Sequence, residues 1–348
     1  MVAYIPFPDW LSAEIIPGLP FRWYGMMYLV AFGITYLLFI YQLKRRQIDY
    51  DKDEVVNMFF WTILALLIGA RIFATLFFDP TNVYWREPWR IFWPFSGGRF
   101  TGLQGMNYYG GLLGAAIAVI IYARVKKIDI RDWGDMIIAG VPLGYTFGRL
   151  GNFINGELYG RITDVSWAVM FPHARRLPVD DPFVQEVADS IGMQLPESGV
   201  VNMPRHPTQI YEALTEGVLL WVVMWFVFRK MKLRKGTLLG IYLIGYGLPR
   251  FLIDYLRVPL RGTFALRLSD IPHPPYVYLT PLNFIASQFY ALAMILLGIG
   301  IIWWIYRRPE EGSALGSETA GAPGQKAIDG SGSSNTAARR RLRKKLRK

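Results

Sequence analysis

Apolar residues in this chain come in long runs, and polar residues collect between them. A helix needs about 20 consecutive apolar residues to cross the hydrocarbon core of a bilayer. Seven runs approach that length, at 24–43, 55–78, 108–125, 135–155, 208–228, 236–256 and 284–306, with the second and fourth the most polar. The pattern predicts an all-α polytopic membrane protein of about seven transmembrane helices. Basic residues sort the loops: 44–54 and 124–133 carry four Lys or Arg each and the short stretch 229–235 carries five, against three in 79–107, four in 158–206 and two in 258–283. Lys and Arg concentrate on the cytoplasmic side, which predicts an outward N-terminus and a cytoplasmic C-terminus.

The connecting segments divide the chain further. Residues 1–23 mix Tyr4, Phe7, Trp10, Phe21 and Trp23 with four prolines, the composition of an arm lying at the outer interface rather than of a spanning helix. They carry no basic n-region or small-residue cleavage site, so a removable signal peptide is not expected. The loop 79–107 repeats the aromatic theme with Trp85, Trp89 and Trp93. The loop 158–206 is too long for a bare connector and predicts a small extracytoplasmic head with strands or turns, inserted in a membrane domain of residues 24–308. Residues 309–338 are rich in Gly, Ser and Ala without apolar periodicity and read as a disordered linker. Behind it, Arg339 to Lys348 contributes eight charges of the net +12, a basic tail suited to anionic lipid on the cytoplasmic face; nucleic acid is not expected as a partner.

Composition removes several chemistries. Hydrophobic residues make up 53% of the 348, which is not the balance of an ordinary soluble domain. With no cysteine, disulfides, thiolate metal sites and a cysteine nucleophile are excluded. His173, His206 and His273 fall in loops without helical spacing, and HExxH, GxSxG and Walker A motifs are absent. No metal site is expected.

The candidate chemistry lies in ionisable residues inside or beside the apolar runs, where a charge costs roughly 2.5–3.5 kcal/mol on insertion scales and marks a functional site by default. Arg71 follows Gly69 and Ala70 in the second run. Arg149 and Asn152 share a helix face in the fourth, within Gly148-Arg149-Leu150-Gly151-Asn152-Phe153-Ile154-Asn155-Gly156-Glu157-Leu158-Tyr159-Gly160. Glu212 and Glu216 stand four apart in the fifth. Tyr246, Arg250, Asp254 and Arg257 form one polar stripe down the sixth. Any single acid–arginine pair reads equally well as structural glue. Taken together, an arginine cluster biased to the outer half suits an anionic head group, because guanidinium grips phosphate through two parallel hydrogen bonds.

These residues resemble the bacterial prolipoprotein diacylglyceryl transferases over roughly 20–308. The stretch 148–161, GRLGNFINGELYGR, looks like the family signature. Arg22-Trp23-Tyr24-Gly25, Gly69-Ala70-Arg71, Gly110-Gly111-Leu112, Arg205 to Glu212 and Ile244 to Gly247 followed by Arg250 agree in order and approximate spacing. The resemblance implies a seven-helix fold with a periplasmic head. It implies transfer of the diacylglyceryl group of phosphatidylglycerol to the lipobox cysteine thiol of preprolipoproteins, with a thioether formed and glycerol 1-phosphate released, and no metal or organic cofactor. Its substrates would be phosphatidylglycerol and lipobox signal peptides, met among membrane lipids. Arg149 and Arg250 then become the essential arginines, with Tyr109, Tyr24 and Glu157 as further catalytic candidates. Asn152, Asn155, Gly160, Tyr246, Arg71, Glu212, Glu216 and Arg257 become substrate-binding candidates.

One departure stands out. Members of this family often carry a histidine immediately before the Gly-Gly pair, proposed as a base, and here that position is Tyr109. A tyrosine, with its ordinary pKa near 10, is a poor general base at neutral pH unless cations depress it. The residues leave a different class of function open: a membrane transporter or lipid-binding protein with an arginine-lined cavity. The lack of an internal repeat and the outward bias of the polar cluster count against a transporter. A retinal-type receptor fits poorly, since the seventh run contains no lysine.

Overall fold

The computed structural model describes residues 4–16, 22–77, 79, 82–96, 98–100, 105–259, 265–270, 274 and 276–308. The linker and basic tail, His273 and parts of the N-terminal arm fall outside them, as does the side chain of Tyr109.

The described chain is mostly helical. In order come β1 (Ile5–Pro6), α1 (Trp23–Arg45), α2 (Lys52–Phe77), α3 (Val83–Arg86), β2 (Phe95–Ser96), β3 (Arg99–Phe100), α4 (Tyr108–Lys126), α5 (Ile130–Ile138) and α6 (Val141–Ile154). They are followed by β4 (Val169–Met170), β5 (Leu177–Pro178), α7 (Pro182–Ser190), β6 (Val200–Val201), α8 (Thr208–Glu212), a π-helical turn (Ala213–Leu219) and α9 (Leu220–Phe226). Last come α10 (Thr237–Ile253), β7 (Ala265–Arg267), β8 (Asn283–Ile285) and α11 (Ala286–Arg307). Among the described residues four helical stretches are long and apolar enough to cross a membrane: Trp23–Arg45, Lys52–Phe77, Thr208–Lys230 and Ala286–Arg307. Their outer faces are apolar, with Leu29, Leu37, Leu296 and Trp303 all more than half exposed. In water such a surface would be a liability, whereas lipid is its natural solvent. The protein is a mostly helical membrane protein.

One run differs from its expected form. Residues 135–155 are not a single helix: a turn at Ala139 and Gly140 separates α5 from α6. Pro142 sits in the first turn of α6, where its missing N–H is no loss and where it cannot prolong α5. At its start α5 is capped by Asp129, whose carboxylate accepts from the Arg131 N–H at 3.1 Å.

Ion pairs gather three basic loops at one end of the bundle. Arg46 meets Asp132 at 2.7 Å, Lys126 meets Glu54 at 3.3 Å and Lys235 meets Asp129 at 2.8 Å. At the far end of α1, the N-terminal β1 pairs in parallel with β4, Ile5 opposite Val169. β5 and β6 pair antiparallel over a small apolar core of Ile162, Leu177, Val184, Ala188, Val201 and Met203. Residues 158–206 therefore carry the strands and turns expected of that loop.

Two buried arginines tie this segment together with no carboxylate in ion-pair distance among the described residues. Arg161 donates to the carbonyls of Tyr255, Pro274 and Val277, and Arg205 donates to the Arg175 carbonyl while its guanidinium lies 4.9 Å from the Tyr159 ring. Burial lowers both to about 10, because a cation is costly to remove from water.

Candidate active site

The site is built where α6, α8 with its π-helical turn, and α10 meet. Glu212, fully buried at the end of α8, is its centre. Arg149 on α6 reaches one carboxylate oxygen, Nε to Oε2 at 3.1 Å. Arg250 on α10 and Arg257 just beyond it both reach the other, each placing Nη1 2.5 Å from Oε1. Asp254 takes a second contact from Arg250 at 3.1 Å and lies 3.8 Å from Arg257. The stripe at 246–257 thus serves one side of the cluster and Arg149 the other. Arg250 and Arg257 both hydrogen-bond to Glu212 Oε1, and the remaining contacts in the cluster are ion pairs by distance; removing one partner from such a buried set typically costs about 3–5 kcal/mol.

The π-helical turn determines how the fifth run enters the cluster. Its wider winding disturbs the regular backbone ladder, and side chains answer the freed carbonyls: Thr215 donates to Tyr211 O at 2.8 Å and Thr146, across on α6, approaches Ala213 O at 3.5 Å. Gly217 makes the approach possible, since a Cβ there would lie 2.2 Å from the Thr146 hydroxyl. Glu216, fully buried within the turn, then accepts a short hydrogen bond from the Tyr145 hydroxyl. Tyr145 in turn accepts from Arg149 Nε at 2.6 Å, and Tyr246 Oη stands 3.5 Å from the same oxygen.

The signature stretch continues the network outward. Arg149 Nη1 donates to Asn152 Oδ1 at 3.3 Å, Asn152 Nδ2 to Glu157 Oε1 at 3.0 Å, and Asn155 Nδ2 to the same oxygen at 3.2 Å. Gln209 fixes the Glu157 backbone carbonyl at 2.6 Å and Thr208 the Leu158 carbonyl at 3.1 Å. Gly160 lies at a backbone crossing: an added Cβ would meet Leu256 O at 2.6 Å, His206 Cβ at 2.7 Å and Thr208 Cγ2 at 2.8 Å. That closeness explains a glycine there by packing alone.

The structure brings together Arg149, Asn152, Asn155, Glu157, Glu212, Glu216, Tyr246, Arg250 and Arg257. Gly160 adjoins them through the backbone, in a bridge with Arg257. Tyr24 is adjacent rather than central: α1 crosses α6 with Tyr24 Cα 3.4 Å from where a Cβ on Gly151 would sit, and its hydroxyl pairs with Tyr28 at 2.9 Å. Arg71 is engaged elsewhere, donating to Ile91 O at 2.5 Å and Gly105 O at 3.2 Å. Tyr109 begins α4, with its side chain outside the described residues. Sequence reasoning missed Tyr145, Thr146, Thr208 and Gln209. For Tyr145 a signal existed, since it stands one helical turn before Arg149 on the same face.

Beside the Gly160 crossing, His206 Nδ1 lies 3.2 Å from the Tyr211 hydroxyl, which accepts from Trp167 Nε1 at 2.6 Å. An indole N–H only donates, so the Tyr211 oxygen accepts from Trp167, while donor and acceptor between Tyr211 and Nδ1 follow the tautomer of the imidazole. Burial pushes its pKa down to about 4, with Asp164 opposing.

The family model described as prolipoprotein diacylglyceryl transferase matches residues 12–304. Among curated relatives, the phosphatidylglycerol–prolipoprotein diacylglyceryl transferase of Treponema pallidum is 42% identical, covering 85% of this chain and 93% of its own length. The protein of the same name from Treponema denticola is 41% identical over 88% and 96% respectively. A third of that name, from Chlorobaculum tepidum, is 37% identical over 86% and 91%. The chain belongs to the prolipoprotein diacylglyceryl transferase family.

Proposed function

We propose that this protein is a phosphatidylglycerol–prolipoprotein diacylglyceryl transferase whose chemistry is done at the Glu212-centred arginine cluster. The transferase assignment rests on the family and on relatives carrying that name over most of their length. The observation that carries the choice of site is the convergence of Arg149, Arg250 and Arg257, from two different helical segments, on one buried carboxylate. Guanidinium groups so held are set to grip a phosphodiester, and they stabilise the charge that develops on the departing phosphate oxygen.

In this reading a lipobox cysteine thiolate attacks the glycerol carbon bearing the phosphate ester, and glycerol 1-phosphate leaves. The positive field that holds the phosphate also favours thiolate over thiol. Asn152, Asn155 and Glu157 orient the head group and the Arg149 side, and Tyr246 lines the same wall. Tyr24 stands at the approach from α1. Gly160 keeps the backbone crossing tight, and Arg71 anchors the outer loops.

Seven helices crossing the bacterial inner membrane, with the three basic loops cytoplasmic and residues 158–206 as an outer head, complete the proposal. It is supported by the ion pairs that collect those loops at the end of α1 remote from β1 and β4. The arm would then lie at the outer interface, and the tail after 308 would meet anionic lipid.

The test supplies phosphatidylglycerol and a lipobox peptide to purified protein and reads the thioether product by mass. Wild type forms it; Arg149→Ala and Arg250→Ala lose at least about a hundredfold in rate, the scale for removing one charge-stabilising donor. Full activity in Arg149→Ala refutes the site. Solute flux in liposomes without any transfer would favour a transporter instead.

A further inference from the structure

The two carboxylates of the fifth run sit in opposite surroundings although they are one turn apart. Glu212 is held by three arginines. Glu216, equally buried, has no arginine or lysine within ion-pair distance among the described residues, and a tyrosine hydroxyl donates to it instead. Two neighbouring acids with such different partners divide their labour: one stays a fixed counter-charge, the other is free to take a proton. The groups facing Glu216 are Tyr145 and Arg149 from α6, Glu212 from α8, and Arg250 and Tyr246 from α10.

Glu216 cannot meet a substrate directly, since it is fully covered. Tyr145 can. It is only partly buried, its oxygen touches the Nε of the phosphate-facing Arg149 at 2.6 Å, and its proton already points at Glu216. A phenol oxygen has two lone pairs. Arg149 occupies one; the other faces Tyr246 at 3.5 Å, the outer limit of a hydrogen bond, and is open to a stronger donor.

We infer that Tyr145 and Glu216 form a proton relay that takes the proton of the attacking thiol, with Tyr145 the residue that touches it and Glu216 the final acceptor. The inference rests on the transferase reading and deepens it. As the thiol S–H bond breaks, its proton passes to Tyr145 Oη and the tyrosine proton passes to Glu216. The sulfur pair forms the C–S bond, the C–O bond to phosphate breaks, and its electrons leave as a phosphate monoester dianion beside the arginines. Glu216 returns its proton through Tyr145 Oη to that monoester, which resets both the carboxylate and the phenol. Negative charge thereby moves from a carboxylate with no arginine in ion-pair contact among the described residues to a phosphate held by several. No histidine is required at the position of Tyr109.

The experiment measures kcat and KM for phosphatidylglycerol with a lipobox peptide from about pH 6 to 9, in wild type, Glu216→Gln, Tyr145→Phe and the double variant. Glutamine still accepts the tyrosine hydrogen bond but cannot take a proton. We expect kcat in Glu216→Gln to fall about a hundredfold or more at pH 7, the scale of general-base catalysis, with KM for the lipid within about twofold. The deficit narrows about tenfold per pH unit as the thiol approaches its own pKa near 8.5. Tyr145→Phe gives the same loss, and the double variant is no worse than either, because both cut one path. If Glu216→Gln fails to fold, Tyr145→Phe carries the same pH test. Wild-type kcat in either single variant overturns the relay, as does a loss confined to KM or one that high pH does not relieve. Wild-type protein that makes no thioether overturns the transferase reading itself.

Discussion

Replacing Glu212 with glutamine separates what this residue does for the fold from what it does for substrate. In wild type it faces Arg149 at 3.1 Å and Arg250 and Arg257 at 2.5 Å each, inside the bundle. Glutamine keeps the shape and one acceptor oxygen but loses the charge, leaving Asp254 alone among three guanidinium groups. Breaking a buried ion pair costs about 3–5 kcal/mol, and the retained acceptor puts this change at the lower end. For a chain of this size each kcal/mol moves the melting temperature by roughly 2 °C, so Glu212→Gln should melt about 6 °C lower in detergent. The same change frees guanidinium donors for an anion. One charge-assisted hydrogen bond contributes about 1.5–3 kcal/mol, so phosphatidylglycerol should bind about tenfold tighter and raise the variant's melting temperature more than that of wild type. Turnover should fall, because a ground state held this firmly gains less on reaching the transition state. Thermal unfolding monitored by intrinsic fluorescence, with and without the lipid, reads both effects. A variant that melts within about 1 °C of wild type, or that gains no more from lipid than wild type does, refutes the claim that Glu212 is the counter-charge of the clamp.

Other consequences can be checked alongside. Gly160→Ala forces a Cβ to within 2.6 Å of the Leu256 carbonyl and 2.7 Å of His206 Cβ; overpacking of this kind costs about 1–3 kcal/mol, so folding yield and melting temperature should drop, and an unchanged value would contradict the crossing. Arg149→Lys keeps the charge but loses the fork that meets Tyr145, Asn152 and Glu212 at once, and transfer should fall by at least about a hundredfold; near-normal activity would show that a point charge suffices. His206 has its folded pKa lowered to about 4 from an ordinary 6.5, so the unfolded chain binds the extra proton between those values. Its contribution to stability is complete above pH 6.5 and is lost as pH falls toward 4. The wild-type melting temperature should decline across that window more steeply than that of His206→Gln, and parallel curves would rule out a buried neutral imidazole.

The helical runs were readable because membrane spans are written in a crude code, long apolar stretches with charged ends. The expected 24–43 and 284–306 appear as Trp23–Arg45 and Ala286–Arg307. The break at Ala139 and Gly140 was missed although Pro142 advertises it, since apolar residues continue on both sides. Arg149, Arg250, Arg257 and Glu212 stood out because charge in an apolar setting is conspicuous. Tyr145 did not, because tyrosine is an ordinary resident of membrane helices, and only its distances to Arg149 and Glu216 distinguish it. Nor could spacing place Arg71, because whether two apolar runs become neighbours is decided by packing rather than by local pattern. The π-helical turn has no signature of its own, and the close approach of Gly217 to Thr146 that accompanies it joins two runs no local pattern connects.

The parallel pairing of β1 with β4 has a consequence for how the chain is made. Ile5 and Val169, which it joins, stand roughly 160 positions apart, and a ribosome adding about 5–20 residues per second needs roughly ten to thirty seconds to travel between them. During that interval the first strand has emerged while its partner has yet to be synthesised. Ile5 and Pro6 thus cannot take their place until Val169 and Met170 have been made, and their docking reports that translation has passed the signature stretch and delivered the segment beyond it.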